Sequence, residues 1–168
     1  ILSFGDFSIL SFHATKVFST VEGGAIISPD EKTKKRIDYL KNFGIVDETT
    51  VIAPGINAKM NEFEASFGLL QLKYIESILD KRKKIAYLYR ELLSGVKGLR
   101  LLEDINGVKH NYGYFPVIID KSVFGISRDD LYIQLKNENI FSRRYFYPLI
   151  SDLPTYKSLP SARADNLP

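Results

Sequence analysis

Cysteine and tryptophan are both missing from this 168-residue sequence, and it holds only two histidines and one methionine. Without cysteine there is no disulfide framework, no thiol nucleophile and no thiolate-bound zinc. His13 and His110 alone are too few for a histidine-rich metal site, so no metal centre is expected. No apolar run reaches about eighteen residues, which excludes a spanning helix by length. The opening ILSFGDFSILSF is apolar but lacks a basic leader and a small-residue cleavage site, so it does not read as a secretory signal. A cytoplasmic location is expected. A strong excess of either charge sign is also lacking. Lys and Arg number 23 against 20 Asp and Glu, a net charge of +3, which by itself implies no nucleic-acid partner.

What is present is an ordinary globular mix, 45% hydrophobic and 26% charged, which argues against wholesale disorder. A chain of this length can bury roughly 70% of its unfolded surface. It opens at Ile1 inside an apolar run and closes at Pro168 on no finished helix, so a piece of a longer polypeptide is expected.

Residues 1–12 are rich in Phe, Ile and Leu and predict one or two short buried strands around Gly5-Asp6. The mixed stretch 13–22 reads as a loop, and Gly23-Gly24 punctuates before a strand at Ala25–Ser28. Ser28, Pro29 and Glu31 predict a capped helix over 29–42, with Ile37 and Leu40 inward and Gly44 as its stop. A long loop holding Pro54-Gly55 follows, and Asn61 with Glu64 opens the next helix. Phe63, Phe67, Leu70, Ile78, Ile85, Leu88 and Leu92 keep helical spacing across 61–94. Either one helix or two abutting helices covers that span; a break near 73–77 is favoured, because two consecutive faces there are apolar. Beyond Gly98, strands are predicted at Leu99–Leu102, Tyr112–Ile119 and Ile140–Tyr145, with a Ser127-capped helix reaching about Glu138 and placing Leu131 and Leu135 inward. The tail from Pro148 to Pro168 reads as loop. The change in pattern places a domain boundary near residue 75.

Three stretches could carry chemistry. Lys16 ends the run Ser11-Phe12-His13-Ala14-Thr15-Lys16, where a strand gives way to a loop. An amine held by rigid backbone and partly screened from water has a lowered pKa and becomes a nucleophile. Ser11 could hold a phosphate oxygen near it. The competing reading is a solvated surface lysine. Gly55–Glu62 sets Asn57 and Lys59 just ahead of a helix start, a pattern suited to an anionic ligand. Capping explains Asn61 and Glu64 there, but not Asn57 or Lys59. Lys81-Arg82-Lys83-Lys84 lies among acidic neighbours and in helical phase, so it reads as a solvated helix face ahead of a nucleic-acid patch. The aromatics of YGYFP and RRYFYP could stack on bases or sugars, and core packing is the more ordinary reading.

GDFSILSFHATKVFSTVEGGAI followed by GINAKMNEFEASFGLLQL closely resembles the DegT/DnrJ/EryC1/StrS family of pyridoxal-phosphate (PLP) sugar aminotransferases, of fold type I. NYGYFPVII and RRYFYPLISDLPTY resemble the small-domain strands of the same family, in the same order. The resemblance implies an α/β fold. Residues 1–75 would be the C-terminal part of the large PLP-binding domain, with a few strands of a mainly parallel sheet. Residues 76–168 would be an incomplete smaller α+β domain with a short antiparallel sheet. It implies that Lys16 is the lysine that holds the cofactor, that Ser11 holds its phosphate, and that Asn57 reaches that phosphate from a neighbouring subunit. Lys59 would lie near the phosphates of a nucleotide-sugar substrate. His13 inherits no defined role. Relatives that dehydrate rather than transaminate carry histidine in place of the lysine, so Lys16 disfavours that branch.

The implied activity is amino transfer from an amino-acid donor, typically glutamate, to a nucleotide-linked keto-deoxysugar for surface polysaccharide or glycan biosynthesis. A homodimer with shared sites is implied, without nucleic acid or membrane. The family's phosphate-binding turn, ring-stacking residue and acidic partner for the ring nitrogen lie upstream of the matching region, so this chain alone is expected to be inactive. Two other readings stay open: another PLP-dependent reaction on a sugar, and a non-enzymatic binding module using Lys81–Lys84.

Overall fold

The structure is a computed structural model that describes residues 2–161. The parts of the strand expectation at Ile1 and of the tail expectation from 162 to Pro168 lie outside the described residues. In chain order the elements are β1 (Ser8–Ser11), β2 (Gly24–Ile27), α1 (Glu31–Leu40), α2 (Glu62–Leu93), β3 (Leu99–Leu101), β4 (Val117–Ile119), α3 (Lys121–Phe124) and α4 (Arg128–Asn137), with a short 3-10 turn at Ile150–Asp152. The chain divides into two compact units, Ile1–Ala86 with Lys109–Gly113, and Tyr87–Val108 with Tyr114–Pro168.

In the first unit β1 pairs with β2 antiparallel, with Ser8 opposite Ile27 and Ser11 opposite Gly24. The described strands here are thus antiparallel rather than members of a parallel set. The single strand begins at Ser8, not around Gly5-Asp6, and Ile9 is 70% exposed, so the expected burial is not met. Helix α1 starts later than its sequence suggests. Asp30, not Ser28, is the cap: its carboxylate accepts from Thr33 N at 2.7 Å and from Thr33 Oγ1 at 3.0 Å. An anionic cap also meets the positive end of the helix dipole, which favours Asp30 over the neutral Ser28.

Helix α2 is one continuous element of 32 residues without the expected break. Neither proline nor glycine interrupts it after Gly68, and leucine, lysine and arginine propagate it well. Its start is a reciprocal box, with Glu64 N donating to Asn61 Oδ1 at 2.9 Å and Asn61 N to Glu64 Oε2 at 3.2 Å. The residues α2 buries are Gly68 and Ala86, while Phe63 stays 89% exposed and Leu92 67%. The apolar stripe read from helical spacing is therefore largely uncovered among the described residues. Of the basic tetrad, Lys81, Lys83 and Lys84 are exposed, whereas Arg82 Nη1 donates to Tyr112 O at 3.3 Å.

In the second unit β3 pairs with β4 antiparallel, with Leu99 opposite Ile119. Arg90 ties the end of α2 to the chain after β3: its Nη2 donates to Leu102 O at 3.0 Å and pairs with Asp104 at 2.7 Å. The predicted strand at Tyr112–Ile119 shrinks to Val117–Ile119, because Tyr112 adopts φ +51°, which no strand residue does. Ile140–Tyr145 forms no strand either: Asn139 at φ +60° turns the chain, and among the described residues no strand pairs with the segment. Helix α4 begins as its sequence implies, with Ser127 and Asp130 forming a capping box. Tyr145, Phe146 and Tyr147 are exposed rather than core residues, and Tyr145 packs against Tyr114 and Phe146 with ring centroids 5.4 and 4.3 Å apart. Among the described residues no helix is long and apolar enough to cross a membrane.

Candidate active site

Ser11 ends β1, and the loop from Phe12 to Gly23 leaves and rejoins the hairpin at one place. Phe12 N donates to Gly23 O at 2.9 Å, and Thr20 N to Phe12 O at 2.9 Å. Lys16 therefore sits mid-loop with both ends of the loop fixed. A tight turn presents it, closed by Lys16 N donating to His13 O at 2.9 Å. His13 Nδ1 accepts from Thr15 N at 3.2 Å and lies 3.0 Å from Thr15 Oγ1. Ser11 Oγ accepts from His13 N at 3.5 Å. Phe12 and Phe18 pack edge to face at 5.0 Å beneath this turn.

Thr20 is the anchor that sequence reasoning missed. It is 2% exposed, and its hydroxyl donates to Glu22 O. Two glycines make room for it. A Cβ on Gly68 of α2 would lie 2.8 Å from Thr20 Cγ2, and one on Gly23 would lie 2.6 Å from Thr20 Oγ1 and 2.8 Å from Met60 Cε. Both approaches are closer than real carbon contacts allow. The sequence signal was there in part, as Thr20-Val21-Glu22-Gly23-Gly24, but only the fold shows that Gly68 receives the threonine. Lys16 itself is exposed, and among the described residues no carboxylate pairs with its amine. The partial screening expected for it is not supplied by these residues.

The second loop is more ordered than a long connection would be. After α1 the chain folds back on itself through an isolated antiparallel bridge between Asn42 and Asn57. Ile56 N donates to Leu40 O and Ala58 N to Lys41 O, both at 2.9 Å, and Phe43 N donates to Ile56 O at 3.0 Å. Lys59 Nζ donates to Asn42 Oδ1 and stands 5.7 Å from the centre of the Phe43 ring. Asn57 and Lys59 are both exposed, and Lys59 is already engaged within its own loop. The two loops meet at Gly23, where a Cβ would lie 2.8 Å from Met60 Cε. Ser11, His13 and Lys16 thus form one hydrogen-bonded group, while Asn57 and Lys59 belong to a second group held by different contacts.

Chemically, the first group offers an accessible primary amine with a hydroxyl at a strand end nearby in sequence. The second offers an amide and a cation. Among the described residues no group of three or more His, Asp or Glu could hold a metal ion.

Residues 1–168 match the profile of the DegT/DnrJ/EryC1/StrS aminotransferase family. The chain is 59% identical over 147 residues to a dTDP-4-amino-4,6-dideoxy-D-glucose transaminase from Escherichia coli, which covers 88% of this chain and 39% of the relative. Its fold matches the crystal structure of DesI with its TDP-sugar product, with a TM-score of 0.85 and 35% identity over 95% of this chain and 41% of the other. It also matches the PLP-form of a sugar aminotransferase, Spr1654, from Streptococcus pneumoniae, with a TM-score of 0.83 and 27% identity over 95% of this chain and 42% of that one. The chain thus spans about two fifths of the length of the relatives it matches. These neighbours are partial α/β matches to the fold expected from the sequence.

Proposed function

Because this chain belongs to the DegT/DnrJ/EryC1/StrS aminotransferase family, we propose that the intact protein carrying it is a PLP-dependent sugar aminotransferase with Lys16 as its reactive amine. Its amino donor is an amino acid, glutamate by family habit. Its acceptor is a nucleotide-linked keto-deoxysugar, in surface polysaccharide or glycan biosynthesis. The 59% relative is named for dTDP-4-amino-4,6-dideoxy-D-glucose. Transamination exchanges a ketone and an amine at one carbon, so a dTDP-linked 4-keto-6-deoxyglucose is the acceptor this similarity favours. The reading takes residues 1–75 as part of the large cofactor domain and 76–168 as part of the small one. It further takes the protein as a cytoplasmic homodimer in which Asn57 and Lys59 serve the partner's site.

The observation that carries the reading is Lys16: an exposed amine, paired with no carboxylate among the described residues, at the centre of a loop pinned at both ends. The donor set fits PLP in part. A primary amine can condense with an aldehyde, and the Ser11 hydroxyl can donate to a phosphate oxygen. When bound, PLP supplies an electron sink for the electrons left at the donor's α-carbon. The protein's own work is positional. Lys16 Nζ would hold the cofactor's aldehyde carbon and, as the free amine, would take the donor's α-proton as a base and pass it onward as an acid instead of giving it back to the α-carbon. Asn57 would donate an amide hydrogen to the cofactor phosphate, and Lys59 would offer a cation to the nucleotide phosphates. Asn42 holds Lys59 and would have to share it with the substrate.

Lys16→Ala in the intact protein should abolish turnover while leaving the fold unchanged by circular dichroism. Lys16→Arg should do the same, because a guanidinium neither condenses with an aldehyde nor loses its charge. Turnover near that of the unsubstituted protein in either variant overturns the assignment.

A further inference from the structure

His13 makes more contacts within the Lys16 turn than any candidate site residue, and the family reading leaves it without work. Its carbonyl closes the turn by accepting from Lys16 N at 2.9 Å. Its own amide reaches Ser11 Oγ at 3.5 Å. Its ring faces both ways: Nδ1 takes the Thr15 N–H at 3.2 Å, and Nε2 lies 3.7 Å from Glu22 Oε1 across the mouth of the loop. Glu22 is the residue whose carbonyl receives the buried Thr20 hydroxyl. The ring therefore connects the Lys16 turn to the anchored end of the same loop.

The hydrogen bonds decide the tautomer. An amide N–H can only donate, so Nδ1 must be unprotonated to receive Thr15. The ring proton then sits on Nε2, directed at the Glu22 carboxylate. The 3.2 Å bond to the Thr15 amide orients the imidazole, while Glu22, at 3.7 Å, lies beyond hydrogen-bond distance and offers a nearby negative charge. Fixing the ring fixes the turn 13–16, and with it the spacing between the Ser11 hydroxyl and the Lys16 backbone.

We infer that His13, as the neutral Nε2–H tautomer, is a positioning residue: it sets the Lys16 turn through its Nδ1 acceptor and stays out of contact with the reacting atoms. This rests on the reading of Lys16 given above, and it predicts an asymmetry between two conservative substitutions. Asparagine places Oδ1 about where histidine has Nδ1 and can receive the Thr15 amide in an Asx-turn. Glutamine places a donor about where histidine has Nε2, but has no acceptor at the δ position.

The test compares His13→Asn, His13→Gln and His13→Ala in the intact protein. Three quantities are read: histidine ring ¹⁵N shifts of the unsubstituted protein, Thr15 amide exchange without added cofactor, and kcat and KM for amino transfer. A bare, unprotonated Nδ1 resonance is expected for His13. Gln and Ala should speed Thr15 amide exchange and lower kcat by roughly three- to tenfold, the factor one ordinary hydrogen bond carries, with the sugar KM unchanged. Asn should bring both back to within about twofold, since its acceptor restores that bond. If Asn behaves like Ala, or if Nδ1 carries the proton, the proposal is wrong. The exchange and tautomer readouts need no turnover, so they judge His13 even if Lys16→Ala refutes the enzymatic reading.

Discussion

The loop that carries Asn57 and Lys59 depends on the absence of one side chain, and Gly55→Ala tests this directly. A Cβ at Gly55 would lie 2.4 Å from Gly44 N, 2.5 Å from Leu40 O and 2.6 Å from Phe43 C. All three are backbone atoms, so no rotamer can relieve the contact. The loop must move by the best part of an ångström to reach ordinary separation. Moving it pulls on Ile56 N to Leu40 O, Phe43 N to Ile56 O and Ala58 N to Lys41 O. Losing two or three such bonds at about 0.5–1.5 kcal/mol each, or bearing the overpacking instead, costs about 2–4 kcal/mol locally. Amide exchange at Ile56 and Ala58 should accelerate roughly 30- to 900-fold, the factor that free energy implies. Gly95→Ala is the control, because nothing lies within 4 Å of a Cβ there. The substitution at Gly55 should also disturb the bond from Lys59 to Asn42. Unchanged exchange at Ile56 and Ala58 in Gly55→Ala would refute the packing argument.

Three other predictions test separate parts of the account. Thr20→Val keeps the buried volume but removes the donor to Glu22 O, and should lower stability by about 1 kcal/mol in a urea titration, where an unmoved midpoint would contradict the anchoring role. The Asp38 carboxyl, held by hydrogen bonds from Lys34 and Lys41, titrates at about 2 against an ordinary 3.8; since the folded value is the lower one, its stabilising effect is whole above 3.8 and fades as pH falls toward 2, and carboxyl NMR showing a midpoint near 3.8 would remove it. Finally, refolding inactive Lys16→Ala and Asn57→Ala proteins together should restore part of the activity if the two residues meet across a dimer, and heterodimers that recover nothing would place both in one chain's pocket.

The parts of the fold that were legible in the sequence are those set by neighbours in the chain. Asn61 with Glu64, and Ser127 with Asp130, cap their helices through contacts three residues apart, and both starts were readable. Asp30 was missed in favour of Ser28 because two plausible caps stand side by side, and the choice turns on which oxygen reaches Thr33 N. Residues 112–116 and 140–145 have strand composition but join no strand ladder among the described residues, and strand pairing is a tertiary fact that alternation does not reveal. The break expected in α2 rested on apolar residues around 73–77, yet a helix breaks for glycine, proline or an inserted group, and none is there. At the site, Ser11, Lys16, Asn57 and Lys59 stood out by residue type and place in the chain, and the resemblance supplied the roles expected of them. Thr20 did not, because a short polar side chain in a polar stretch gives no hint that it is almost fully buried. The engagement of Lys59 by Asn42, seventeen residues away, was equally invisible to local reading.

The central claim is that Lys16, among the many lysines of this chain, is the amine that holds the cofactor. The intact protein incubated with PLP, reduced with borohydride and digested for peptide mass mapping tests it most directly. The account predicts one stoichiometric reduced adduct on the peptide containing Lys16, absent from Lys16→Arg. A stoichiometric adduct on another lysine, Lys59 included, or none at all, would contradict it.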